Sequence, residues 1–432
     1  MNIHDCLVAL PVAGDAFLLN RSGRQILVDG GSGSARLLQE LKNFNVKHLD
    51  VVVCTHADRD HAGGLVDFLD CSSSPVTVDE FWLPGSWAES LPALVTNPGL
   101  VVDDLINSLD SLDGLDGLDG LDGLDGLDGL DGGRGYDKLK KRLQETVVAN
   151  RRKFRGERSR REKSETLILD EGAANKGLPR EWFTEGDRAP MADSEAEEVF
   201  KHGRGRIQRR LLAGTIRREA AFLWVGLIDT AERIRKIAIQ AHRHNALVRW
   251  FDYSDFAKTG QASGGNKDLL VPINSVELQA PPPPPPLDFT YFNRLTPVNE
   301  ECLVFVSPPA SDFPSWPVSV LFTGDSPLGD GIGYAESWLA WPAWVSTWVI
   351  ATAPHHGSEK KSAAYHHLMS KVNVWLWIRS GGSKRHPGET YRSISSHRRS
   401  CTHCPRSDFS RQPVVVELGD FALTTYGRYC NC

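Results

Sequence analysis

The sequence predicts an α/β layered fold interrupted by a long insertion. Three observations carry that prediction. Short apolar runs alternate with helical patterns over residues 4–69 and again after Glu301, as expected for strands packed against helices. Several of these runs end in glycine or in a polar loop. Between residues 111 and 245 the pattern changes to low complexity, then to strong positive charge, then to helix.

Taken in order, Cys6–Leu10, Gly14–Leu19 and Gln25–Gly31 read as three strands, with a turn at Asn20–Gly23. Ser32–Asn43 reads as a helix with Leu37, Leu38 and Leu41 on one face. Leu49–Cys54 is a strand, and a helix is expected over Ala62–Leu69. A second short α/β unit follows over residues 75–110. Leu-Asp-Gly then repeats seven times from Leu112 to Gly132. A period of three fits neither helix nor strand, so the repeat reads as a disordered linker rather than a calcium array. Residues 138–163 hold twelve Lys or Arg against three acids, either a face that steers phosphate or a solvated tail. Residues 203–245 read as mainly helical, with Ile207, Leu211, Leu212, Ile216, Phe222 and Ile228 on one face. Ala246–Phe251 is a strand. Six prolines at 281–286 mark a stiff spacer, with polyproline recognition by a protein partner as the alternative. Further strands are expected at Cys302–Val306, Val318–Thr323, Trp348–Ala351, Val372–Ile378, 413–418 and 421–426, with helices at Tyr334–Trp341 and Ser362–Ser370. The expected division is 1–110 and 246–432 as the two halves of one domain, with 111–245 inserted.

The bulk properties exclude little. The chain of 432 residues carries a net charge of -6, so no global nucleic-acid signature exists. Eight cysteines in this length do not read as a disulfide framework. No signal peptide is expected, and the apolar stretch Trp338–Ala353 is too short and interrupted to span a membrane. A cytoplasmic location with no membrane partner is the expectation.

The chemistry concentrates in Thr55–Gly64. His56, Asp58, Asp60 and His61 fall within six residues, directly after an apolar strand. Such a loop suits a divalent cation at the rim of a sheet. Three later polar groups also follow apolar runs: Asp325, the His355–His356 pair, and His386. Loops at one end of a sheet converge, so these groups are expected to meet the first motif. Cys401-Thr402-His403-Cys404 and Cys430-Asn431-Cys432 form a separate cluster, read as free thiols with a structural zinc site as the alternative.

Several pieces together resemble the metallo-β-lactamase fold, and within it the hydrolase domain of ComEC-type competence proteins. They are Gly14-Asp15-Ala16, Ile26–Gly31, His56-x-Asp58-x-Asp60-His61-x-Gly63-Gly64, Thr323-Gly324-Asp325, Pro354–Ser358, Ser380-Gly381 and His386-Pro387. The resemblance covers 1–110 and 246–426. It implies an αββα sandwich with a binuclear metal site at its rim. Asp58 stands where the wider family has a second histidine, as in the ComEC-like branch. The family's third histidine has no convincing counterpart between residues 62 and 300; His202, His242 and His244 read as surface residues. The implied first site is His56 and Asp58 with His355 or His356. The implied second site is Asp60, His61 and His386, with Asp325 bridging. One of His355 and His356 is the alternative proton donor to the leaving group, and Asp60 belongs with them to the catalytic set. Two divalent metal ions, zinc or manganese, are the expected cofactors, because carboxylates enrich the donor set in oxygen. The expected function is hydrolysis by a metal-bound hydroxide, with a phosphodiester of a nucleic acid or nucleotide as substrate. An ester, lactone or amide substrate is the first alternative. A non-catalytic metal-binding or regulatory module is the second.

Overall fold

The computed structural model describes residues 5–70, 76–113, 139–153, 190–279, 290–309, 317–382, 386–404, 411–418, 423–426, 430 and 432. The Leu-Asp-Gly repeat beyond Asp113, Lys138, the basic residues 154–163 and the prolines 281–286 lie outside them. The chain forms two compact units, one of residues 1–85, 239–280 and 299–432, the other of 86–238 and 281–298.

The first unit is built on two sheets. Its strands are β1 (Cys6–Ala9), β2 (Phe17–Arg21), β3 (Arg24–Val28), β4 (His48–Val53), β5 (Thr77–Pro84), β6 (Leu247–Asp252), β7 (Val271–Pro272), β8 (Val276–Leu278) and β9 (Phe305–Ser307). They continue with β10 (Val318–Phe322), β11 (Gly329–Asp330), β12 (Glu336–Ser337), β13 (Trp348–Thr352), β14 (Asn373–Arg379), β15 (Arg399–Cys401), β16 (Val414–Leu418) and β17 (Leu423–Tyr426). One sheet runs β17-β16-β1-β2-β3-β4-β5-β6-β8, the other β15-β14-β13-β10-β9-β7. β3, β4, β5 and β6 pair in parallel, as do β10, β13, β14 and β15. Parallel neighbours end on the same edge, so the loops after them collect there.

Alternation within each strand decides what lies between the sheets. Phe17, Leu19, Ile26, Val28, Val51, Val53, Trp82 and Phe251 of the first sheet share one buried core with Phe305, Val320, Phe322, Ile350, Leu376 and Ile378 of the second. The opposite face of the second sheet, with Leu321, Val349, Ala351 and Trp377, is covered by Tyr365 and Leu368 of the helix Ser362–Met369. The helix α1 (Ser34–Asn43) buries Leu37, Leu38 and Leu41 on one face, as expected from its spacing. The result is the expected αββα sandwich.

Two sequence expectations fail locally. The helix expected at Ala62–Leu69 is instead one turn inside the motif, α2 (Arg59–Ala62), followed by a 3-10 turn at Gly63–Leu65. Gly64 packs against the carbonyl of Gly30, where any Cβ would clash, so close backbone contact replaces helix there. The helix expected at Tyr334–Trp341 is absent. Gly331 and Gly333 have φ of 79° and 63°, and the chain forms the small β11–β12 ribbon instead. Trp338 and Trp341 pack against the outer core of the second sheet.

The second unit is helical among its described residues. It includes α3 (Gly85–Ala88), α4 (Leu91–Thr96), α5 (Pro98–Asp113), α6 over 139–153, α7 (Asp193–Leu212) and most of α8 (Arg218–Arg243). Trp224 stacks on Phe292 at 5.3 Å and its indole N–H donates to the Leu105 carbonyl at 2.7 Å. Arg151, counted in the basic run, is buried. Its guanidinium donates to the carbonyls of Asn293 (2.7 Å), Arg294 (2.9 Å) and Thr296 (3.0 Å). That arginine holds the fold and is withdrawn from any charged surface. The expected apolar face of 203–245 also breaks, since Leu212 is 80% and Phe222 54% exposed. Gly214, with φ of 68°, separates α7 from α8 and resets the helical phase between them.

Candidate metal centre

Residues of the Thr55–Gly64 motif are placed by backbone contacts, several of them at glycines where a Cβ would clash. Gly14 has φ of 96° and lies against the Asp60 carbonyl, which also accepts the Asp15 N–H at 2.8 Å. Gly30 N–H donates to the His61 carbonyl at 2.7 Å. Leu303 N–H donates to the Thr55 carbonyl at 3.0 Å, tying the segment before β9 to the end of β4. On the second sheet, Asp325 follows β10, the His355–His356 loop follows β13, and Ser380 follows β14. His355 and His356 both have left-handed backbone, φ of 47° and 54°. Two such non-glycine residues in succession cost conformational energy, which sequences retain mainly where function fixes side-chain direction.

The expected residues meet. Ring centroids of His56 and His61 lie 4.1 Å apart, His61 and His356 5.1 Å, and His386 lies 5.9 Å from both His355 and His356. Asp325 sits among them. Its carboxylate is 3.1 Å from His61 Nε2, 3.5 Å from His355 Nε2, 3.7 Å from His56 Nε2 and 3.8 Å from His356 Nε2. Asp58 lies 3.9 Å from His56 Nε2 and Asp60 lies 3.0 Å from His356 Nε2. His202, His242 and His244 are exposed, as expected.

Proton bookkeeping fixes which nitrogen faces the centre. A carboxylate only accepts. His61 Nδ1–H therefore donates to Asp29 at 2.7 Å, and His356 Nδ1–H to Asp15 at 3.0 Å, so both present Nε2 inward. Thr55 donates its hydroxyl to Asp29 at 2.8 Å, which leaves its oxygen to accept from His56 Nδ1 at 3.1 Å. One buried carboxylate, Asp29, thus orients two imidazoles. A carboxylate behind the imidazole is the usual support of a metal-ligating histidine. Asp15 and Asp29 stood in the expected motifs without an assigned role. Cys302 was read only as part of a strand, yet its Sγ lies 3.4 Å from His56 Nδ1 and accepts the Asp325 N–H at 3.2 Å.

The donor atoms fit a cation. His56 Nε2, His61 Nε2 and Asp325 Oδ1 are buried and make no hydrogen bond. Ligand atoms of His56, His61 and Asp325 fall within 4.8 Å of one another, as do those of Asp15, His61 and His356. The field points the same way. Burial opposes charge on His61, but Asp325 and Asp29 outweigh it and hold its pKa well above the usual value. Burial likewise opposes charge on His356, and Asp15 and Asp60 overcome it. Burial works against ionising Asp325, yet the surrounding imidazoles keep its carboxyl well below its usual range. The centre is thus a buried anionic pocket that draws positive charge, and the protons on His61 and His356 occupy the role that cations would take.

Residues 9–120 match the family model of the metallo-beta-lactamase superfamily, so this part of the chain is similar to that superfamily, whose members are typically hydrolytic metalloenzymes. The match includes the ligand-dense motif and ends before Asp325. No curated protein matches the chain. Among the described residues no helix is long and apolar enough to cross a membrane.

Proposed function

We propose that the centre holds two divalent cations, zinc or manganese, and hydrolyses a phosphodiester of a nucleic acid or nucleotide. The reading rests on one observation above all: buried Nε2 and carboxylate atoms without hydrogen-bond partners converge on Asp325. His56, Asp58, Asp60, His61, Asp325, His356 and His386 would hold the ions. Bound there, they would lower the pKa of water and neutralise charge on phosphoryl oxygens.

The protein's own groups divide the remaining work. Asp29 and Asp15 keep His61 and His356 in the orientation that presents Nε2. Burial, His356 and His355 push His386 down to about 4, so its ring is neutral near pH 7, the form in which an imidazole binds a metal. His355 differs from the others. The Asn299 amide N–H donates to its Nδ1 at 3.2 Å, so the neutral ring carries its proton on Nε2, which faces Asp325 at 3.5 Å. Burial holds its pKa below the usual value, so the ring is neutral with that single proton. We therefore assign the His355 Nε2–H to hydrogen-bond the leaving oxygen as charge develops on it, and His356 to the ligand set.

Three carboxylates among the donors favour hard or borderline ions of the kind used on phosphates. Asp58 at the second motif position keeps the resemblance to the ComEC-type branch, which supports nucleic acid as the substrate class. The test is metal analysis of the purified protein with assays on bis(p-nitrophenyl) phosphate, single- and double-stranded DNA and RNA, beside an ester and a lactone. Manganese- or zinc-dependent cleavage of a phosphodiester is expected. Cleavage of only the ester or lactone would replace the substrate class, and absence of bound metal would favour a regulatory module.

A further inference from the structure

A second cluster lies at the end of β15, and the metal centre above makes no use of it. Cys401 closes that strand, Cys404 follows it, and Cys430 and Cys432 arrive from the end of the chain. Cys432 Sγ lies 3.5 Å from that of Cys401 and 3.3 Å from that of Cys404, and Cys404 lies 3.9 Å from Cys430. All four sulfurs fall within 4.8 Å of one another, and none of the four is in a disulfide. A disulfide would need about 2.05 Å. A tetrahedral tetrathiolate zinc, with bonds of about 2.3 Å, has sulfur–sulfur edges of about 3.8 Å, close to the separations found. Thiols are weak hydrogen-bond partners, so four of them gain little by packing together as S–H groups. Cys401-x-x-Cys404 also has the spacing of a structural zinc knuckle.

Arg379 gives an independent reason for negative charge here. Its side chain, at the end of β14, is only 2% exposed. The guanidinium donates to Cys432 Sγ at 3.6 Å, to the His356 carbonyl at 2.9 Å and to the Gly381 carbonyl at 3.3 Å. Among the described residues no carboxylate lies within ion-pair distance of it. A buried guanidinium without a counter-charge is costly, and four thiolates around a divalent ion carry a net negative charge beside it.

We propose that Cys401, Cys404, Cys430 and Cys432 hold one tetrahedral zinc ion in a closed structural site. The site pins the end of the chain to β15 and, through Arg379, braces the loop that carries His355 and His356. Four protein ligands leave no position for water, so this ion takes no part in hydrolysis. It stands whether or not the substrate assigned above is right.

The test uses the full-length protein purified under reducing conditions, before and after dialysis against EDTA. One zinc per chain should survive dialysis, and its X-ray absorption should show a sulfur-only shell at about 2.3 Å. Cobalt in its place should give an intense sulfur-to-metal charge-transfer band that Cys432→Ser weakens and the double variant Cys401→Ser/Cys404→Ser removes. Zinc with only nitrogen and oxygen neighbours, or no zinc in either preparation, would overturn the proposal. So would an intact mass lower by four hydrogens, which would mean two disulfides instead. The spectra of the unsubstituted protein decide the matter even if a serine variant fails to fold.

Discussion

At the ends of β4, β10, β13 and β14 the chain gathers imidazoles and carboxylates, and at the end of β15 it gathers four thiols. Both groups are largely buried, and both suit a divalent ion. They differ in donor chemistry and in saturation. The thiol cluster brings four soft ligands to one point, as a closed structural site requires. The His/Asp centre mixes nitrogen with oxygen and has an outward side, because Asp60 is 45% exposed there while Asp325 behind it is 4% exposed. It also has supporting partners behind the rings, Asp15, Asp29 and Asn299, whereas beside the thiol cluster stands the guanidinium of Arg379. An open mixed site with oriented ligands can exchange water and substrate, whereas a saturated one can only hold the fold.

Chelation should separate the two most sharply. Dialysis against EDTA is expected to abolish hydrolysis completely and added manganese or zinc to restore it, while the sulfur-bound zinc stays in place. Elemental analysis alongside the assay checks this, and activity unaffected by EDTA would remove the metal from the chemistry. Next in size is the contrast between adjacent histidines. His355→Ala should cost about 10²–10³-fold in turnover with metal content unchanged, as for loss of one hydrogen-bond donor to developing charge. His356→Gln should lose metal as well. Equal metal loss in both variants would make His355 a ligand instead.

A smaller effect tests the supporting carboxylate. Asp29→Asn should weaken metal affinity or activity about 10–100-fold, because Asp29 orients both His56, through Thr55, and His61. The thiol site should be indifferent to it. Smallest is a pH effect on the chelated protein. His61 and His356 are held above their unfolded pKa by neighbouring carboxylates, although burial opposes it. Their folded forms bind protons more tightly, so the stability they contribute is fully present below about pH 6.5 and is lost as pH rises through the folded values. The melting temperature of EDTA-treated protein should therefore fall on the alkaline side. A rise across that range would contradict the charge state assigned to the pair.

Much of this was legible before the structure. His56, Asp58, Asp60 and His61 announce themselves because a helix turn and a loop place all four close in sequence. Asp325, His355, His356 and His386 were found because each follows an apolar run, and parallel strands bring such loops to one edge. What the sequence hid depends on side-chain direction and on contacts between sheets. Asp15 and Asp29 sit in visible glycine-rich turns, but nothing local says that their carboxylates back particular rings. Cys302 and Asn299 reach His56 and His355 only because the segment before β9 meets the end of β4. Helix phase was the other loss. Spacing cannot reveal that Gly214 resets the register ahead of Phe222, or that Gly331 and Gly333 turn a predicted helix into a ribbon.

The most direct test of the central claim compares the unsubstituted protein with Asp325→Ala, measuring bound metal and manganese-dependent hydrolysis of bis(p-nitrophenyl) phosphate together. The Asp325 carboxylate lies within 4 Å of His56, His61, His355 and His356 at once. The account predicts that the variant loses metal from this centre and falls to background while the sulfur-bound zinc remains. An Asp325→Ala protein that keeps its full metal content and turnover would contradict it.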